Sequence, residues 1–156
     1  MSAPPRKDEP GLSRREELHV SSAAMASAPW RTAAVSGGVV ALADLGFHLF
    51  RLHPSVSLSA VTGSISFGAI VFFAVAGAGA LWRARSGRAA RWARGNPWRF
   101  AVLPGAACAA LVFVLSVVLG DSGILGGVFA ALWHGGAAFG LTGLAGSVAG
   151  TRRRAS

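Results

Sequence analysis

The stretch FAVLPGAACAALVFVLSVVLG, residues 100–120, contains no charged residue. A helix needs about 20 consecutive, predominantly apolar residues to cross the hydrocarbon core of a bilayer. Three further apolar stretches meet that length, at residues 32–50, 56–82 and 123–150. We therefore predict an all-α, polytopic membrane protein, in which residues 30–150 form a four-transmembrane-helix bundle made of two antiparallel hairpins.

The composition supports this class. Of the 156 residues, 53% are hydrophobic and 13% are charged, and the mean hydropathy is +0.52, whereas soluble domains carry about 25% charged residues. The net charge of +9 alone would fit a nucleic-acid-binding protein. The basic residues flank apolar segments, however, and form no groove-reading or base-stacking motif, so we predict no nucleic-acid partner. The dominance of Arg, Ala and Gly is typical of a GC-rich bacterial genome.

The basic residues also predict an orientation. All but one of the 15 Lys and Arg residues lie in three segments: residues 1–31, the loop 83–99 and the basic tail 151–156. Arg51 alone lies on the other side of the predicted membrane. The positive-inside rule therefore predicts that both termini and the Arg-rich loop lie on the cytoplasmic side of the cell (inner) membrane.

The segments outside the spans are polar. Residues 1–29 have few large apolar side chains, so we predict a disordered cytoplasmic tail, in which residues 13–16 (SRRE) fit a capping box that would begin a short helix to Val20. The loop 83–99 predicts a short basic helix on the membrane that ends at residues 95–97 (GNP). Membrane lipids are the expected partners, and anionic headgroups would bind at this loop. In the alternative interpretation, the basic residues of this loop only set the orientation of the protein in the membrane and bind no particular lipid.

A polar stripe crosses the outer half of the first span. Asp44, His48 and Arg51 follow the spacing i, i+4, i+7 and share one helical face. A carboxylate in lipid costs about 3 kcal/mol unless it is paired, protonated or hydrated, so Asp44 is a candidate functional residue.

The second span carries hydroxyl groups at a similar depth. Its residues Ser55, Ser59, Thr62 and Ser66 are spaced by three or four positions and form one face. Together with Asp44, they would line a small polar cavity open to the outside. In the alternative interpretation, the hydroxyls bond carbonyls of their own helix, and His48 or Arg51 neutralises Asp44.

The remaining candidate ligands do not predict a cofactor. His134 lies in the middle of the fourth span and would bond Asp44 if the first and fourth helices are neighbours. In the alternative, which we favour, it is a satisfied polar residue among glycines. His48 and His134 differ in depth by about 10 Å, which disfavours a haem with two axial histidines. Cys108 is the only cysteine and lies in an apolar run. We therefore predict neither a metal site nor a cofactor, and no hydrolase or nucleotide-binding motif is present.

The fourth span is rich in glycine. Residues four or eight apart form small-residue stripes that allow a neighbouring backbone to approach closely. The candidates for such packing are Gly123, Gly127, Gly135, Gly136 and Gly140. The partner would be another span of this chain or, in the alternative, a second subunit in a homo-oligomer or in a complex with a different membrane protein.

Three functions remain open. The first is a non-enzymatic accessory or scaffold subunit that packs through its fourth helix. The second is a small proton- or cation-coupled transport module that uses Asp44 with His48 or His134. The third, an intramembrane enzyme acting on a lipid or isoprenoid substrate, has the weakest basis because acid catalysis by Asp44 needs a second group nearby.

Overall fold

The computed structural model describes residues 13–51, 57–83, 88–120 and 123–152, and these residues form helices and no strand. Four of the helices are long and apolar enough to span a membrane, which confirms the all-α, four-span prediction. The spanning helices are α2, α3, α5 and α6. In chain order the helices are α1 (Arg14–Met25), α2 (Trp30–Arg51), α3 (Leu58–Arg83), α4 (Arg88–Gly95), α5 (Pro97–Val118) and α6 (Gly123–Arg152).

Local sequence explains where the last two helices begin. Helix α5 starts at Pro97, three residues before the predicted span, because proline fits the first helical turn, where its missing N–H would have no partner. Helix α6 starts at Gly123, whose φ of 64° lies in the left-handed region that glycine adopts without strain. The four long helices begin and end within three residues of the predicted apolar stretches.

Helix α3 lies at the centre of the bundle. It packs against α2 on one side and against both α5 and α6 on the other, whereas α2 contacts no other spanning helix among the described residues. Accordingly, α3 is the most buried of the four spanning helices and α2 the least buried.

Small residues let the helices approach closely. A Cβ atom on Gly37 of α2 would lie 2.7 Å from the carbonyl oxygen of Gly68 in α3, and one on Gly135 of α6 would lie 2.9 Å from that of Gly105 in α5. Alanine dominates the buried apolar residues for the same reason. Contacts of this kind replace large side chains with backbone-to-backbone packing, as is common between membrane helices.

Helix α1 corrects the prediction of a disordered tail. The capping box is present as predicted: the Ser13 amide donates to Glu16 Oε2 at 2.8 Å, and the Ser13 hydroxyl accepts from the Glu16 amide. The helix then buries Ala24 and Met25 in the core at this end of the bundle. The prediction failed for these residues because the bundle supplies the apolar surface that the segment lacks by itself. Residues 1–12 lie outside the described residues.

Helix α4 confirms the short helix predicted in the Arg-rich loop. It ends at Gly95, where the Asn96 side chain donates to the Trp92 carbonyl at 3.2 Å. Ala93 is buried in the same core cluster as α1, while Arg91 is exposed. Helices α1 and α4 thus lie together at one end of the bundle, which we call the α1 end.

Candidate functional site

Asp44 has a defined partner in the structure. Its Oδ2 atom accepts a hydrogen bond from the Ser64 hydroxyl of α3 at 2.7 Å and lies 3.7 Å from His48 Nε2, one turn further along α2. Ser64 is 2% exposed, whereas the Asp44 and His48 side chains are 31% and 41% exposed. The strong contact of the carboxylate is therefore with α3, since 3.7 Å is too long for a hydrogen bond. The Arg51 side chain lies outside the described residues.

The order of these contacts limits their chemistry. Ser64 donates to the carboxylate directly, and Asp44 lies between the hydroxyl and the imidazole. Activating a serine as a nucleophile requires a general base next to the hydroxyl, with the carboxylate orienting that base. The arrangement of Ser64, Asp44 and His48 instead holds a polar carboxylate between two helices.

A separate cavity lies on the opposite face of α3. It has a volume of about 450 Å³ and is walled by α3, α5 and α6. It includes three of the predicted hydroxyl residues, Ser59, Thr62 and Ser66, together with His134 and the additional hydroxyl of Ser116. Asp44 and His48 do not line it.

Two of the hydroxyl groups in this cavity donate to carbonyls of their own helix. Thr62 donates to the Leu58 carbonyl and Ser66 to the Thr62 carbonyl, each at 2.8 Å. A hydroxyl that donates its only proton still has lone pairs to offer. The oxygens of Thr62 and Ser66 are therefore available to the cavity as acceptors.

His134 adds a nitrogen acceptor to the same wall. Its Nδ1 lies 2.7 Å from the Ala130 carbonyl oxygen, which can only accept, so Nδ1 carries the hydrogen. In the neutral ring, Nε2 then carries the lone pair. A cavity lined by hydroxyl oxygens and an imidazole acceptor suits a ligand that donates hydrogen bonds or carries positive charge.

The structure thus divides the predicted polar cluster into two parts. Asp44 and His48 lie on the α2 side of α3, while Ser59, Thr62, Ser66 and His134 lie on the other side. Ser55, which was predicted to belong to the same hydroxyl face, lies outside the described residues. The prediction that His134 bonds Asp44 required the first and fourth spans to be neighbours. It is wrong, because α2 and α6 make no contact among the described residues. Ser64 was not predicted, although serines at alternate positions of α3 place hydroxyls on both of its faces.

The glycines of α6 divide in a similar way. Cβ atoms on Gly127 and Gly135 would lie 2.9 Å from the Val117 side chain and 2.6 Å from Ala109 Cβ in α5, so this stripe packs within the chain. At the remaining predicted positions, an added Cβ would meet no described atom within 4 Å: these are Gly123, Gly136 and Gly140. The same helix makes two further close contacts, of Gly143 with Trp98 and of Gly146 with Pro97.

Comparison with protein-family models, with characterised proteins and with experimentally determined structures found no match to this chain. Within residues 13–51, 57–83, 88–120 and 123–152, no three His, Cys, Asp or Glu side chains come close enough to hold a metal ion. The features of this chain that bear on its function are therefore the geometry of the two polar regions and of α6.

Proposed function

We propose that this protein is a non-enzymatic accessory or scaffold subunit that binds another transmembrane helix through the outward face of α6. The observation that carries this proposal is the pair Gly136 and Gly140, whose Cβ positions are both open. The two residues are four apart, so they lie on one face and leave a shallow notch in the helix surface.

The chain does not need glycine at these positions for its own packing. Glycine is less favourable than alanine in a helix by about 1 kcal/mol, and at Gly135 close contact with α5 compensates for it. At Gly136 and Gly140 no contact within the described chain does so. Two large side chains lie on the same helical face as the notch, because residues 129, 133, 136 and 140 are three or four apart. Phe129 is 76% exposed and Trp133 is 69% exposed. A ridge of aromatic side chains beside a glycine notch fits the packing of a second helix.

The test is the assembly state of Gly136→Leu and Gly140→Leu. We expect native mass spectrometry from mild detergent to show the wild-type chain in a complex, with itself or with a membrane protein purified alongside it, that both variants lose. The matched control is Gly38→Leu, because Gly38 of α2 also has an open Cβ position but lies outside the notch. A wild-type monomer, or a complex that survives both α6 substitutions, would contradict the proposal.

A second candidate is a small proton- or cation-coupled transport module, and the acceptor-lined cavity is the observation that favours it. Here the coupling group is His134 rather than Asp44, because His134 faces the cavity and Asp44 is engaged by Ser64. A monovalent cation would bind the oxygens of Thr62 and Ser66, or a proton would bind His134 Nε2.

This candidate is tested by sodium and proton flux in proteoliposomes. Ser66→Ala and His134→Gln should reduce flux, whereas Ser147→Ala should not. Ser147 is the matched control because its hydroxyl also donates to a carbonyl of its own helix, that of Gly143 at 2.9 Å, and it does not line the cavity. Flux that is lost in Asp44→Asn but retained in both cavity variants would place the coupling group at Asp44 instead.

A further inference from the structure

A second cavity lies between α1 and α5, at the α1 end of the bundle. We call it the α1–α5 groove, and it has a volume of about 480 Å³. Helix α1 contributes residues at the spacing i, i+3, i+4, i+7 starting from Arg14, and α5 contributes the same spacing starting from Arg99. Trp92 of α4 completes the wall. Each helix thus presents one continuous face to the groove.

The polarity of the groove changes along α5. Arg99 lies in the first turn of that helix, followed by Val102, Leu103 and finally Ala106. At 1.5 Å per residue, Ala106 lies about 10 Å deeper along the bundle than Arg99. Leu18 adds an apolar side chain from α1. The groove therefore has a charged end and an apolar end, separated by about the distance from a lipid headgroup to the first part of its acyl chains.

The charged end is basic. Arg99 Nη1 forms an ion pair with Glu17 Oε1, and Arg14 adds a second guanidinium to the lining. A guanidinium has five N–H donors, so the pair with one carboxylate oxygen leaves donors on Arg99 for another acceptor. Two guanidinium groups and one carboxylate give the lining a net positive charge, and guanidinium groups bind phosphate oxygens through paired hydrogen bonds.

The aromatic residue at the groove fits the same environment. Trp92 is half-buried, and indole rings favour the headgroup layer, where one part of the ring is apolar and the N–H can be hydrated. Val102 is 55% exposed, so the apolar part of the groove is open to the side of the bundle. In a bilayer, that side is open to acyl chains.

We propose that the α1–α5 groove is a specific binding site for one anionic phospholipid. The headgroup phosphate binds Arg14 and Arg99, and an acyl chain lies along Leu18, Val102 and Ala106. This inference is independent of the proposed function of α6 and of the acceptor-lined cavity, since it involves neither.

The site explains a feature of α1 that capping alone does not. The helix begins outside the spanning segments, yet its first turn contacts α5 through the pair of Glu17 and Arg99. A lipid in the groove would bridge the same two helices through its phosphate and its chain. Binding should therefore stabilise the docked position of α1.

The test is native mass spectrometry of the full chain from nanodiscs that contain equal amounts of phosphatidylglycerol and phosphatidylcholine. We expect the wild-type protein to retain one phosphatidylglycerol in preference to phosphatidylcholine. Arg14→Gln should lower this retention about fivefold, the effect of one basic residue near an anionic lipid. Arg14 is preferred to Arg99 because the substitution leaves the pair of Glu17 and Arg99 in place.

Two further variants separate a groove from general attraction to charge. Ala106→Trp fills the apolar end without changing the charge, and it should also reduce retention of phosphatidylglycerol. Arg31→Gln removes an exposed charge at the start of α2, outside the groove, and should leave retention unchanged. Three outcomes would each overturn the proposal. The wild-type protein would retain the two lipids in the equal ratio of the nanodisc, Arg14→Gln and Arg31→Gln would lower phosphatidylglycerol retention equally, or Ala106→Trp would retain phosphatidylglycerol fully. Displacement of the bound lipid by soluble glycerol phosphate would also overturn it, since the acyl chain would then contribute nothing.

Discussion

The two sides of α3 are held together in different ways. On the side of α5 and α6, three helices pack together, and the α5 and α6 backbones approach each other closely at Gly105 and Gly135; we call this the close-packed side. On the other side, which we call the polar side, α2 packs against α3 alone. Their backbones also approach closely, at Gly37 and Gly68, and the hydrogen bond from Ser64 to Asp44 adds a side-chain contact between them. The comparison indicates that a peripheral membrane helix with a single spanning neighbour uses a polar side-chain contact in addition to close backbone packing.

The close-packed side should show the largest effect. Gly135→Leu places a side chain where its Cβ alone would lie 2.6 Å from Ala109 Cβ, so we expect a loss of about 3 kcal/mol or more in the free energy of unfolding. Gly38→Leu, at a helical glycine with an open Cβ position outside the notch, should leave that free energy nearly unchanged. Reversible unfolding in mixed micelles, followed by tryptophan fluorescence, measures both. Equal losses would mean that α5 and α6 do not pack through the Gly135 face.

The polar side should show a smaller effect that depends on Asp44. Ser64→Ala removes the donor to the carboxylate and should lower the free energy of unfolding by about 2 kcal/mol, as for other hydrogen bonds to charged groups. Ser66→Ala, two residues away, removes only a bond within α3 and should cost less than about 0.5 kcal/mol.

A double-mutant cycle identifies the cause of the Ser64 effect. In an Asp44→Asn background the carboxylate charge is absent, so Ser64→Ala should cost clearly less than in the wild type. The same unfolding measurement applies. An identical cost in the two backgrounds would show that Ser64 stabilises the α2–α3 contact by packing, and that Asp44 has another partner.

Features of the fold that depend on residues close together in the sequence could be predicted, and features that depend on distant residues could not. The four spans, the short helix in the Arg-rich loop and the capping box depend on composition or on residues three or four apart, and all of them could be predicted from the chain. The docking of α1 could not, because it depends on an apolar surface made by distant residues such as Phe100 and Leu81.

The candidate sites were predicted only in part for the same reason. Helical spacing correctly grouped Ser59, Thr62 and Ser66, which share a cavity wall. Which helix lies opposite that wall depends on which helices are neighbours in the bundle. In the structure α6 lies there, and α2 packs against another face of α3. Spacing within α3 could not show that Ser64, on its other face, would be the residue opposite Asp44.

One polar group remains unmatched on the close-packed side, and it provides the last test of the comparison. Thr142 of α6 is fully buried, and its hydroxyl has no hydrogen-bond partner among the described residues. It lies against the backbone of α3, where a Cβ on Gly77 would be 2.7 Å from its methyl carbon. A buried hydroxyl without a partner is destabilising, so Thr142→Val, which keeps the shape and removes the group, should raise the free energy of unfolding by about 1 kcal/mol. Thr142→Ser keeps the hydroxyl, loses the methyl contact and should lower it. If Thr142→Val instead destabilises the protein while Thr142→Ser does not, the hydroxyl has a bonded partner, and the close-packed side also depends on a polar contact.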